Sequence, residues 1–303
     1  MLPELVEATE EHEERIKALF DSVGAPLREA AWERAFGSAV RSDLAAKPYV
    51  TMLDGNVTGF AVAHRRLLHL ERELYEAQVI TDFVAIAGEE GDGAARVMLE
   101  VLTREAPLSF AGGWSVNGVR LLRGFQWRFV APFLSWSMEP LRRPKAAPGA
   151  QTSLTAGVLG EIQKKLSRSG AVFFQRPAHL EASFIQGERF PIMENDEVIG
   201  WLRIRHDAER GEAHLIDARF PIESADSVVA ELAAIGAALQ ARLFITGLNP
   251  ALAFALTKAG AASLKSRWGL FCFLSAPRYR ELVVKLNSQT NWMLFPADFD
   301  LDV

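Results

Sequence analysis

Residues 79–99, VITDFVAIAGEEGDGAARVML, read in order as a strand, a glycine-rich loop and a helix. Val79, Ile80, Phe83, Val84 and Ile86 suit a buried strand, Gly88, Gly91 and Gly93 break it, and from Ala94 the apolar residues Val97, Leu99 and Leu102 return at helical spacing. Glycines there let the backbone approach a ligand and turn N–H groups towards an anion at the start of the helix. The same residues also suit an ordinary turn with a helix cap, and Glu89, Glu90 and Asp92 repel phosphate. On this stretch alone the ordinary turn is the preferred reading, since short glycine clusters are common.

The surrounding chain narrows the choice. Its 303 residues are 49% hydrophobic, enough for sizeable cores and for about two domains. A net charge of -5 with dispersed Lys and Arg offers no basic field for nucleic acid. The first twenty residues lack the basic start and apolar core of a signal peptide, and no apolar run approaches the ~20 residues that span a bilayer. The cytoplasm is the default expectation, with no membrane association. One cysteine, Cys272, rules out an internal disulfide and a cysteine metal site, and is read as a buried strand residue. No two histidines stand at metal-ligand spacing on one helix, so no metal is expected. Nucleophile-elbow, phosphate-loop and dinucleotide motifs are absent.

Working outward from the organising stretch, residues 5–20 fit an amphipathic helix and 26–36 a second one. Residues 49–53 and 57–67 flank Asp54-Gly55-Asn56, a strong hairpin signal. A strand from Tyr75 leads into the glycine loop, and its helix is followed by a strand at 108–116 and a short helix at 117–123 ended by Gly124-Phe125. Residues 125–138 alternate bulky side chains across a break at Pro132, as a closing strand pair would. Trp114, Trp127 and Trp136 cluster here, either as core or as a pocket lining.

Residues 139–155, EPLRRPKAAPGAQTSLT, read as a linker, and the chain beyond it repeats the chain before it. MLDGNVTGF at 52–60 matches MENDEVIGW at 193–201 without a gap, sharing Met, Val, Gly and a final aromatic. A strand at 213–221, a helix at 225–240, a strand at 242–246 and a helix at 249–258 ending at Gly260 restore the earlier order. The expected division is residues 1–140, a linker at 141–155, and 156–303.

This order of helices, hairpin, long strand, glycine loop, helix, strand, short helix and closing strands resembles the GNAT superfamily of acyl-CoA-dependent N-acyltransferases, taken twice. The resemblance implies an α+β fold of two tandem GNAT-like domains, each a mixed, mostly antiparallel sheet flanked by helices. It also implies an acetyl-CoA or other acyl-CoA donor and a small-molecule amine or amino sugar acceptor. In that family the long strand's backbone pairs with the pantetheine arm, and a loop of pattern Arg/Gln-x-x-Gly-x-Gly/Ala holds the pyrophosphate. The positions so implied are Phe83, Val84, Ile86, Gly91, Gly93, Ala94, Ala95 and Asn117. Laid on the loop, the pattern puts Glu90 in one register, or Gly88 in the other, where a cation or amide stands in the family. The second copy has no glycine across residues 216–229, so it is expected to be structural.

Such a transfer needs a group to take a proton from the amine and another to protonate the leaving thiolate. The resemblance implies a base on or near the long strand, where Glu73, Glu76 and Asp82 stand. Asp82 is the foremost candidate: a carboxylate inside an apolar strand either faces solvent or is desolvated into a useful pKa range. Arg120 stands where the family has its acidic tyrosine, leaving Tyr75 or water for that role. His64, beside Arg65 and Arg66, reads as a surface strand residue. The tail's Asp298, Asp300 and Asp302 share one side of an extended chain, suited to a basic partner or to plain solvation. Homo-oligomerisation stays open. Two other functions remain: a non-catalytic GNAT-fold binding protein with decayed cofactor loops, and an aminoacyl-tRNA-dependent transferase of the peptidoglycan-bridge type, which the acidic balance disfavours.

Overall fold

The computed structural model describes residues 3–25, 36, 46–112, 116–125, 127–140, 154–175, 187–195, 197–264, 271–275, 280–289 and 291–299. The chain forms two compact units: residues 1–67, 75–130 and 272–285, and residues 68–74, 131–271 and 286–303.

In the first unit, β1 (Glu4–Glu7) pairs antiparallel with β2 (Ala46–Leu53), and β2 with β3 (Asn56–Leu70). Residues 5–20 are therefore not one helix. They open as β1, pass a short 3-10 turn, and become helical only at α1 (Glu13–Ser22), whose Ile16, Leu19 and Phe20 are buried. The edge register Glu4↔Met52 to Glu7↔Tyr49 overrides the helical spacing. The predicted helix at 26–36 lies outside the described residues except for Phe36. Asp54 (φ 50°) and Gly55 (φ 80°) make the expected two-residue hairpin, whose left-handed pair only a glycine-containing turn adopts easily.

Next come β4 (Glu73–Ala85), α2 (Glu89–Glu105), β5 (Ser109–Ala111), α3 (Val116–Gly124), β6 (Arg128–Pro132) and β7 (Leu134–Met138). β4 and β5 are parallel, and α2 packs its Met98, Leu99 and Leu102 inward. Gln78 on β4 ties strand to helix, donating to the Leu102 carbonyl and to Ser109 Oγ.

The second unit holds α4 (Ala156–Arg168), β8 (Phe173–Gln175), β9 (Glu188–Glu194), β10 (Glu197–Asp207), β11 (Glu212–Arg219), α5 (Ala225–Leu239), β12 (Arg242–Gly247), α6 (Pro250–Lys258) and β13 (Ala262–Leu264). Trp201, Phe173, Phe220, Leu232 and Phe295 lie in its core. β14 (Phe271–Ser275) and α7 (Arg280–Ser288) are the last strand and α-helix among the described residues. Cys272 is on β14, as expected of a strand residue.

The division at 141–155 does not describe how strands are shared. One sheet runs β1-β2-β3-β4-β5-β14-β6, the other β13-β7-β12-β11-β10-β9. β14, from the end of the chain, pairs with β5 through Phe273↔Ala111, while β7, from the first half, pairs with β12 through Ile245↔Trp136. Residues 125–138 are thus not a closing pair: β6 and β7 enter different sheets. Trp127 and Trp136 are buried as core, and Trp114 lies outside the described residues.

The two matched segments share an irregularity. β2–β3 skips a residue between the pairs Thr51↔Gly59 and Met52↔Val57, and β9–β10 skips one between Gly200↔Ile192 and Val198↔Met193, which is the same place in the matched segments. The following glycine is forced in each case. A Cβ on Gly59 would lie 2.7 Å from both Thr51 Oγ1 and Met98 Cε, and one on Gly200 only 2.5 Å from the Arg219 carbonyl.

Candidate functional site

β4 and β5 part company at a defined point. Their parallel register runs Gln78↔Ser109, Val79↔Phe110, Ile80↔Ala111 and then stops, while β4 continues to Ala85. Two residues past the last pair, Asp82 has φ 48°, a left-handed conformation rare for a non-glycine residue inside a strand. Such a bulge adds a residue and reverses which side each later peptide faces. Before it, the Gln78 N–H donates to the Leu108 carbonyl next to β5; after it, the Ile86 N–H donates to the Thr58 carbonyl of β3. Even-numbered residues therefore face β5 before the bulge and β3 after it. The N–H and C=O groups of Phe83 and Ala85 consequently face the opened side, where a ligand's amides can pair with them.

This assigns the expected backbone positions differently. Phe83 keeps its place, but Val84 and Ile86 turn their peptides to β3, and Ala85, which the sequence reading passed over, faces the opening. Only the bulge decides this, and nothing in the residue types announces it.

The loop ends at Gly88 (φ 91°), the N-cap of α2. The Asp92 N–H bonds the Gly88 carbonyl, so the N–H groups of Glu89, Glu90 and Gly91 are those left without intrahelical partners. An anion set there meets these donors and the positive end of the helix dipole. It also meets Glu89, Glu90 and Asp92, all exposed in the first turn. Gly91 and Gly93 differ in kind. A Cβ on Gly91 would lie 1.7 Å from the Ile86 carbonyl oxygen, so this glycine lets the helix start close on the strand end, whereas one on Gly93 would come no nearer than 3.9 Å, to Pro3. Ala94 and Ala95 are buried in the packing of α2 and present no side chain to a ligand. Arg96 sets its guanidinium 5.7 Å from the Phe125 ring, linking α2 to the end of α3, the helix that carries Asn117 and the exposed Arg120.

Of the acid–base candidates, only Asp82 is at the opening. Glu76 is exposed and Tyr75 half-buried at the other end of β4. Six residues of strand place Glu76 ~20 Å from Asp82, so the structure does not bring these groups together. Asp82 is half-buried, and the Thr81 hydroxyl donates to its Oδ2 at 3.1 Å. Thr81 Oγ1 is in turn 3.0 Å from His64 Nε2. His64 is 2% exposed, contrary to its reading as a surface residue, because β3 is covered on both faces over Val57–His64.

The second unit has the same break and fills it. β11 and β12 pair from Glu212↔Arg242 to Leu215↔Ile245 and stop, and the β10–β11 register skips Ile216 just before Asp217. The tail spans this gap. Leu294 exchanges both backbone hydrogen bonds with Leu248, just past β12, and Asp298 pairs with Arg219, the last residue of β11. Arg219 lies between two carboxylates at 2.8 Å each, Asp217 Oδ1 and Asp298 Oδ1, and all three side chains are at most 1% exposed. Asp298 Oδ2 also accepts the Phe295 N–H. Asp298 is thus neither solvated nor offered to a partner; it is an internal ion-pair residue. Asp300 and Asp302 lie outside the described residues.

Among the described residues no group of three or more His, Cys, Asp or Glu could hold a metal, and no helix is long and apolar enough to cross a membrane. No family model matches the chain, and no curated protein matches it. Solved structures do. A GCN5-related N-acetyltransferase from Kribbella flavida shares 14% identity at a TM-score of 0.64, over 90% of this chain and 70% of that one. One from Anabaena variabilis shares 13% at 0.64, over 90% and 72%. The N-myristoyltransferase of Saccharomyces cerevisiae, solved with bound myristoyl-CoA, shares 9% at 0.55, over 90% and 79%. With its parted strands, bulged β4 and capped α2, the chain has the fold of the GCN5-related N-acetyltransferases.

Proposed function

We propose that the chain is an acyl-CoA-dependent N-acyltransferase that uses the opening between β4 and β5 to acylate a primary amine of a small molecule. The observation that carries this reading is the contrast between two corresponding breaks in strand pairing: one is spanned by the chain's own tail, while the other sets the backbone edge of Phe83 and Ala85 on the side away from β3, close in sequence to the start of α2. Phe83 and Ala85 would hold the pantetheine amides, and the N–H groups of Glu89, Glu90 and Gly91 the pyrophosphate. An acyl-CoA bound there supplies an activated acyl carbonyl with a thiolate leaving group. Asp82, at the bulge, takes one proton from the acceptor's ammonium and frees the nitrogen lone pair. A C–N bond then forms as the C–S bond breaks, and the second amine proton reaches the thiolate through water.

The acidic first turn of α2 favours a second reading, a binding protein whose cofactor loop has decayed. Calorimetric titration with acetyl-CoA and a longer acyl-CoA separates them. Binding of one thioester per chain, lost in a folded Gly93→Glu variant, supports the cofactor assignment, and release of free thiol with a primary amine supports transfer. Absence of binding by either thioester to the folded protein refutes both the site and the activity.

A further inference from the structure

We propose that Thr81 and His64 are positioning residues, a buried hydrogen-bonded chain that fixes how the Asp82 carboxylate faces the acceptor amine. The inference rests on the reading of Asp82 as proton acceptor. The chain has a definite direction. An ionised carboxylate only accepts, so the single hydroxyl proton of Thr81 goes to Asp82 Oδ2, and Thr81 Oγ1 must accept from His64 Nε2–H. His64 and Thr81 are 2% and 5% exposed, so water competes little for either bond. Asp82 itself stands half-buried in a left-handed conformation at the mouth of the opening. A strained residue at such a point persists only where its surroundings hold it.

The second unit shows what the corresponding break in pairing does without this chain, and there the aspartate has no left-handed backbone. Asp217 occupies the place of Asp82, two residues beyond the last β11–β12 pair as Asp82 is beyond the last β4–β5 pair. There Ile216 replaces Thr81, and Arg205 stands where the ungapped repeat places His64. Asp217 is wholly buried and ion-paired with Arg219. Asp217 is held by a guanidinium and wholly buried; Asp82 accepts the Thr81 hydroxyl and keeps part of its surface.

The test measures free thiol released from acetyl-CoA with glucosamine, spermidine and lysine methyl ester as acceptors. Thr81→Val should lower kcat about 10- to 100-fold, the loss of one hydrogen bond to a charged group, with KM for acetyl-CoA within about twofold of wild type. Thr81→Ser should restore most of it. His64→Ala should fall likewise, and His64→Gln, which keeps an N–H donor, should recover. Circular dichroism melts check that each variant is folded. If Asp82→Asn loses activity while Thr81→Val keeps kcat, the positioning role is overturned and the base assignment stands. Full activity in Asp82→Asn overturns both. A bound thioester with none of these amines acylated overturns the transfer reading and this proposal with it.

Discussion

Arg219→Met should release the tail from the second unit. The guanidinium makes two ion pairs at 2.8 Å, to Asp217 and Asp298, and also donates to the Ala218 and Phe174 carbonyls. With all three side chains at most 1% exposed, its removal strands two carboxylates away from water. Breaking a buried pair from one side costs about 3–5 kcal/mol, because the remaining charge is left uncompensated. For a unit of this size each kcal/mol lowers the melting temperature by about 2–4 °C, so the loss should be ~6–20 °C. The tail's burial is coupled to the same contact, since Trp292, Met293, Leu294 and Phe295 are at most 3% exposed. Thermal and urea unfolding followed by tryptophan fluorescence should therefore show a destabilised variant. A triple variant, Asp217→Asn/Arg219→Met/Asp298→Asn, should recover much of the loss, because a buried ionic group replaced as a whole costs far less than one broken in half. A loss under about 1 kcal/mol for Arg219→Met, the scale of an exposed pair, refutes the reasoning. So does a triple variant as unstable as the single one.

Other outcomes concern the first unit's opening and the buried histidines. Asp82→Asn should lower kcat about 100- to 10 000-fold while leaving acyl-CoA affinity near wild type, measured by steady-state kinetics and calorimetry. Glu89→Gln and Glu90→Gln should each tighten acyl-CoA binding by about two- to fivefold, since a charge at a helix start is worth about 0.3–1 kcal/mol; unchanged affinity would place the pyrophosphate elsewhere. Gly91→Ala should fail to accumulate as folded protein, because its Cβ has no room against Ile86, whereas Gly93→Ala should melt near wild type. His69 and His214 have pKa values lowered from 6.5, chiefly because burial disfavours the charged ring. The unfolded chain then binds more protons below about pH 6.5, so this stability is complete above that value and lost as pH falls through the folded pKa values. The urea midpoint should fall between about pH 7 and pH 5, and His69→Gln should flatten that fall.

Local signals carried much of the architecture. Asp54-Gly55 announced its hairpin because few residues adopt two successive left-handed conformations. Gly88 and the return of apolar residues at helical spacing announced the end of β4 and the start of α2. The ungapped match of 52–60 with 193–201 pointed to two similar hairpins, and each has one register skip at the same place. These are properties of neighbours in sequence, which periodicity and turn chemistry express directly. Residues 5–20 show the limit: a helical pattern lost its first turn to an edge strand once β2 was there to pair with it.

The two hairpins, the end of β4 and the location of the glycine loop were legible in the sequence alone. Only the tertiary structure decided which edge of β4 is open, because one left-handed residue at Asp82 reverses the side each later peptide faces without altering the residue pattern. Only the tertiary structure joined His64 to Thr81, 17 residues apart, and Arg219 to Asp298, 79 residues apart. It also sent β7 and β14 to sheets outside their own halves of the chain. Hydrogen bonds and ion pairs between distant segments depend on which surfaces the folded chain buries together, and periodicity along a segment carries no record of its partner.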